Sequence, residues 1–310
     1  MKPYAYSSEL KANAINADYD MAELVLSGKM KNSIKFITMP VRHYKTKRAT
    51  VRKKEFTASD GAMIAYYEFT PLQEKEKYPA MIYCHGGGFM FPIQKPMMEN
   101  SSLYAENCGV KVFLVEYRYV PDADCQRIQE DCQDMLRYVY QNADELGIDR
   151  EKILLYGDSA GGCLAACTAI RNRDTDGYPL KGQMLIYPVC DNESARYASV
   201  EQYKKAVWSK RANESMWRLF FHKGVKKIAN VVPMKNNTNN LPQAYVEVLQ
   251  MDVLRDEGIA YANKMRAADV NVECRLVDGA FHGYDAQLKS PLVKRSFDHR
   301  YQVIRQMLEN

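Results

Sequence analysis

No segment of this 310-residue chain reads as a membrane span: uncharged apolar runs such as Cys163 to Ile170 stop well before the ~20 residues a spanning helix needs. Nor do the first residues carry an apolar stretch behind basic ones. Lys2, Glu9, Lys11, Asp18 and Asp20 punctuate them, so no secretory leader is read and a soluble, cytoplasmic protein is expected. The eight cysteines (Cys84, Cys108, Cys125, Cys132, Cys163, Cys167, Cys190, Cys274) form no C-x-x-C pair and no regular framework. In a chain this long they read as reduced, mostly buried thiols, which excludes a disulfide scaffold and leaves no structural zinc site expected. A dense basic block is missing too. The formal net charge of +5 is spread along the chain, and the most basic stretch, His43 to Lys54, alternates with Tyr, Thr and Val as the solvated face of an edge strand would. No nucleic-acid or membrane partner is expected, and a homodimer is left open.

What is present is an ordinary globular composition, 46% apolar and 26% charged, with a sizeable core available. The length fits one large domain with an insertion as well as it fits two domains. Ala49 to Thr57 and Ala62 to Thr70, split at Ser59-Asp60-Gly61, read as an antiparallel hairpin. Pro79 to Cys84 and Val110 to Tyr117 read as buried central strands. The rhythm then alternates: helix Asp124 to Leu146, strand Lys152 to Gly157, helix Ala160 to Arg171, strand Gly182 to Tyr187, strand Ala244 to Gln250, helix Arg255 to Ala268, strand Asn271 to Val277 and a terminal helix to Met307. This predicts an α/β fold, a mostly parallel doubly wound sheet of about eight strands. One interruption lacks strand alternation but spaces Trp208, Trp217, Phe220 and Phe221 as a helix would. The expected division is residues 1–45 as N-terminal cap helices, 46–188 and 241–310 as the catalytic domain, and 189–240 as a helical cap insertion.

Gly157-Asp158-Ser159-Ala160-Gly161 fits G-x-S-x-G, directly after a predicted strand and directly before a predicted helix. That context makes it a nucleophile elbow: only small neighbours (Gly157, Gly161) fit so tight a turn, and the serine hydroxyl is lifted to a helix N-terminus whose partial positive charge favours an alkoxide. The P-loop lysine and the G-x-G-x-x-G spacing of a phosphate-binding turn are absent. Upstream, His85-Gly86-Gly87-Gly88-Phe89 follows another strand. Its glycines let backbone N–H groups face a pocket, so Gly86 and Gly87, joined by Ala160, are the expected oxyanion donors.

These motifs resemble the α/β-hydrolase superfamily in its hormone-sensitive-lipase-like branch of carboxylesterases and acetylesterases. His85-Gly86-Gly87-Gly88, Tyr117-Arg118, Gly157-Asp158-Ser159-Ala160-Gly161-Gly162, Asp252-Val253-Leu254-Arg255-Asp256-Glu257-Gly258 and Phe281-His282-Gly283 carry the resemblance, over residues 85 to 283. It implies the α/β-hydrolase fold and serine esterase activity without a cofactor. His85 resembles the family's motif histidine, which braces the oxyanion loop; Gly88, Asp158, Gly157 and Gly161 join it as supporting residues. One loop departs from the pattern. After Tyr117-Arg118 the family shows a proline-rich segment with a Glu-His pair, whereas this chain reads Val120-Pro121-Asp122-Ala123-Asp124-Cys125.

Five histidines compete for the base. His282 lies late in the chain in a loop containing Gly279 and Gly283, as the order serine, acid, histidine requires; His43, His222 and His299 suit structural or solvated roles. Asp252, just past a strand, is the expected acid, ahead of Asp256 and Glu257, which suit the first turn of the next helix, and of Asp278. Phe89, Trp208, Trp217 and Phe220 are candidate pocket residues that would roof the site and limit acyl length. The expected activity is hydrolysis of short-chain carboxylic esters of small molecules through Ser159, His282 and Asp252 and an acyl-enzyme. An amidase, lactonase, formamidase or carbohydrate deacetylase would use the same triad, and a ligand-binding relative would lack the histidine.

Overall fold

A computed structural model describes residues 4–11, 20–28 and 41–309. Eight strands form one sheet in the order β1-β2-β4-β3-β5-β6-β7-β8. They are β1 Ala49–Thr57, β2 Met63–Pro71, β3 Tyr78–Cys84, β4 Lys111–Val115, β5 Ile148–Asp158, β6 Gly182–Ile186, β7 Ala244–Met251 and β8 Val272–Phe281. The β1–β2 hairpin and the β2–β4 pair are antiparallel, and every later pairing is parallel. The basic stretch falls where its alternation places it, since β1 is an edge strand whose Arg52, Lys53 and Lys54 face solvent wholly or in part.

Both faces of the sheet are covered, which explains why its central strands are apolar on most of their buried residues. Along β3, Ala80, Ile82 and Cys84 join one core, and Met81 and Tyr83 the other. Helices α3 Cys125–Gln141, α4 Ala160–Asp174 and α7 Arg255–Arg266 cover the first face, while α2 Lys95–Cys108 and α8 Pro291–Glu309 cover the second. Helix α3 opens on the Asp124 carboxylate, which accepts the Arg127 N–H at 2.9 Å.

Three features depart from the sequence expectation. The first is α2, absent from it: this helix buries Asn100, Ser101 and Ser102, so its inward face shows no apolar stripe. Strand β8 continues past Val277 to Phe281, and Gly279 lies inside it at φ +67°, where the register with β7 shifts between Leu249 and Met251. The insertion, finally, is only partly helical. It holds α5 Ala198–Gln202 and α6 Lys210–Phe220, joined by turns. Among the described residues of the N-terminal segment, α1 Met21–Leu26 packs on α6, with Asp20 accepting from Ser215 Oγ at 2.9 Å and from Arg218. The other helices expected before residue 45 fall largely outside the described residues. No described helix is long and apolar enough to cross a membrane.

Candidate active site

Parallel strands bring their C-terminal ends to one edge, the place where open α/β sheets bind ligands. Ser159 follows β5 there, Asp252 follows β7, and His282 follows β8. The serine turn is as tight as its sequence requires. A Cβ at Gly157 would stand 2.0 Å from the Gly161 carbonyl oxygen, and one at Gly161 would stand 1.9 Å from that of Cys84. Ser159 itself sits at φ +56°, ψ −121°, with its N–H donated to Ile186 O at 2.9 Å. Its hydroxyl lies 2.8 Å from His282 Nε2, and His282 Nδ1 lies 2.7 Å from Asp252 Oδ2. An N–H at Nδ1 donating to the carboxylate leaves Nε2 free to accept from the serine. Asp252 is almost fully buried, and its other oxygen accepts the Leu254 N–H at 3.1 Å.

The remaining histidines and acids stand elsewhere. His222 bonds the Leu219 and Pro121 carbonyls, His299 meets Glu273, and His43 is exposed. Glu257 accepts the Cys190 N–H at 2.8 Å, Asp256 accepts the Ser199 N–H at 2.8 Å beside Arg255, and Asp278 is exposed on β8.

His85 is fully buried and stacks on Tyr117 with ring centroids 4.3 Å apart. Its Nδ1–H donates to Gly86 O at 2.6 Å, and the Tyr117 hydroxyl donates to His85 O at 2.7 Å. Burial pushes the imidazole down to about 4, so it braces the loop as a neutral ring. Asp158 moves the other way: burial first, then the nearby Asp285 charge, raise its carboxyl to about 6. The oxyanion loop and the serine turn meet closely here, since a Cβ on Gly86 would come within 2.4 Å of Asp158 Oδ2. Gly87 and Gly88 follow at φ +118° and +62°, and a Cβ at Gly88 would touch Trp208 Cη2 at 3.4 Å.

The four candidate pocket aromatics separate. Trp208 stacks on His282 at 5.6 Å and donates from Nε1 to Asn213 Oδ1 at 3.3 Å. Phe89 and Phe220 stack on each other at 3.9 Å, Trp217 stacks on Phe221, and all three candidates among them are buried in the core. A ring the sequence did not single out, Tyr187, stands edge-on to His282 at 5.0 Å. A lone tyrosine at the end of a strand has no pattern that could have flagged it.

The alpha/beta hydrolase fold model matches residues 81–286, from β3 to just beyond His282. The chain belongs to the alpha/beta hydrolase fold family. Among curated relatives of this hydrolase-fold chain, Esterase LipI of Mycobacterium tuberculosis is 31% identical over 216 residues, covering 68% of this chain and 67% of that one. Carboxylesterase NlhH of the same organism is 28% identical over 221 residues, covering 70% and 69%. The chain thus spans about two thirds of the length of the curated relatives it matches. Among solved structures, a bacterial heroin esterase superposes with a TM-score of 0.87 at 26% identity, covering 98% of both chains. Esterase names in both comparisons agree with the resemblance carried by the motifs between residues 85 and 283.

Proposed function

We propose that this protein is a serine carboxylesterase acting on short-chain esters of small molecules. The observation that carries the proposal is the continuous chain of contacts Ser159 Oγ to His282 Nε2 to Asp252, at 2.8 and 2.7 Å. In this reading His282 takes the serine proton as Oγ attacks the ester carbonyl, and Asp252 holds the imidazole tautomer and stabilises the imidazolium. The Gly86, Gly87 and Ala160 N–H groups meet the oxyanion. His282 then protonates the departing alcohol, and a water deprotonated by the same ring cleaves the acyl-enzyme to the carboxylic acid.

Helices α1, α5 and α6 serve in this reading as a cap over the strand ends, with Trp208 its closest ring to the reacting groups. That ring on His282, and its contact with Gly88, support a confined pocket and hence short acyl groups. Hydrolysis of p-nitrophenyl esters of rising acyl length, run beside an aryl amide, a lactone, a formamide and an acetylated sugar, tests the bond and the chain length together. A fluorophosphonate is expected to label the wild type once, at Ser159. No ester turnover and no label at Ser159 would overturn the proposal; turnover confined to the amide, lactone, formamide or sugar would reassign the bond.

A further inference from the structure

Beneath the candidate triad lies a set of polar groups that the scheme above does not use. Arg300, on α8, is fully buried, and its guanidinium meets two carboxylates. Nε and Nη2 reach Glu247 Oε2 and Oε1 at 3.0 and 2.5 Å, and Nη1 reaches Asp285 Oδ2 at 2.9 Å. Glu247 is fully buried as well, and Asp285 nearly so. Three ionisable side chains withdrawn from water cost stability, and apolar residues of similar volume would serve packing alone at least as well. Their placement suggests a different use.

Each carboxylate belongs to a segment that carries a triad member. Glu247 lies on β7, which ends just before Asp252, and Asp285 lies in the turn just past His282. Tyr187 closes the cluster: its hydroxyl donates to Asp285 Oδ1 at 2.6 Å and its N–H to Glu247 O at 2.6 Å. It also directly follows Ile186, whose carbonyl receives the Ser159 N–H, and its ring stands against His282. We infer that Arg300, Glu247, Asp285 and Tyr187 form a positioning device that holds the segments of Ser159, Asp252 and His282 in one register, with Tyr187 fixing the plane of the imidazole. The inference rests on the serine hydrolase reading and adds to it residues that no motif contains.

Two single-hydroxyl deletions in the full chain test it. Tyr187→Phe removes the bond to Asp285. Tyr245→Phe removes a 2.9 Å bond to the same Glu247 but touches none of the three triad segments beyond β7 itself. Tyr187→Phe is expected to lower kcat about tenfold or more with KM within about twofold, because small misplacements of reacting groups are costly in rate. Fluorophosphonate labelling of Ser159 should slow in parallel, and the downfield proton resonance of the His282–Asp252 bond should broaden. Asp285→Asn, which disturbs the Tyr187 hydroxyl from the other side, should show the same loss confined to kcat. Tyr245→Phe should leave labelling and kcat near wild type while lowering Tm to a similar degree. Equal losses in Tyr187→Phe and Tyr245→Phe, or unchanged kcat and labelling in folded Tyr187→Phe, would overturn the inference. Labelling needs no ester substrate, so a wild type that labels at Ser159 but spares esters fails the esterase reading alone.

Discussion

At Ser159 the backbone occupies a region open to glycine and strained for other residues, a cost of ~1–3 kcal/mol that the surrounding turn must hold in place. Two glycines with no room for a Cβ and a hydrogen bond to Ile186 do so. The proposed nucleophile is therefore presented at the expense of stability. Ser159→Gly is expected to abolish turnover yet be no less stable than wild type in urea, since relief of the strain offsets the lost bond to His282. A variant clearly less stable than wild type would show that the turn stores no strain at this residue. Residue-level reading of the sequence picks out Ser159, Asp252 and His282, which the structure brings within hydrogen-bond reach of one another, because each carries a local signature: an elbow, a strand end, a late Gly-flanked loop. It did not single out Tyr187, because a ring that reaches His282 from the end of another strand carries no local pattern in the sequence.

Among the elements, the insertion carries Trp208, the ring that the proposed reading makes a wall of the acyl pocket. Helix α6 begins at Ser209, whose hydroxyl accepts the Ala212 N–H at 3.1 Å, and this fixes the preceding Trp208 over His282. Trp208→Ala is expected to move the acyl optimum from acetyl and butyryl esters toward longer chains, each added CH₂ gaining ~0.8 kcal/mol only where apolar room exists. Trp217→Ala, which opens a buried cluster away from His282, should instead lower Tm with little change in that optimum. The reverse pattern in a chain-length series would move the pocket wall to Trp217. Strands β3 to β7 were legible because burial on both faces leaves mostly apolar runs, and α3 was legible from its place in the strand–helix alternation. Helix α2 was not, because its buried face is built from Asn100, Ser101 and Ser102 as much as from Met98 and Tyr104, and sequence periodicity reports apolarity rather than burial.

For the whole molecule, the buried ionisable groups around the site make stability depend on pH in opposing ways. Asp158, raised by burial from 3.8 to about 6, binds its proton more tightly folded than unfolded, so it weakens the fold above pH 6 and that loss is recovered as pH falls toward 4. His85, lowered by burial from 6.5 to about 4, acts oppositely: the unfolded chain takes up the proton first, and stability is lost as pH falls from 6.5 to 4. Asp158→Asn is accordingly expected to exceed wild type in stability by about 3 kcal/mol at pH 8, with the gap closing between pH 6 and 4. Urea midpoints measured across that range would contradict this if the gap were independent of pH.

The sheet is open, and its two outer strands meet water under different protection. Arg52, Lys53 and Lys54 give β1 a charged rim that repels an incoming strand. Beside β8 the N-terminal segment lies as a strap: Ser7 N–H bonds Gly279 O at 3.0 Å, and a Cβ at Gly279 would strike Ser7. The first guard weakens as salt screens charge, whereas the second is lost when the strap is cut by a protease. Clipping ahead of Lys11 would thus free β8 for strand exchange between molecules, and self-association that grows with clipping and is indifferent to salt would be its signature.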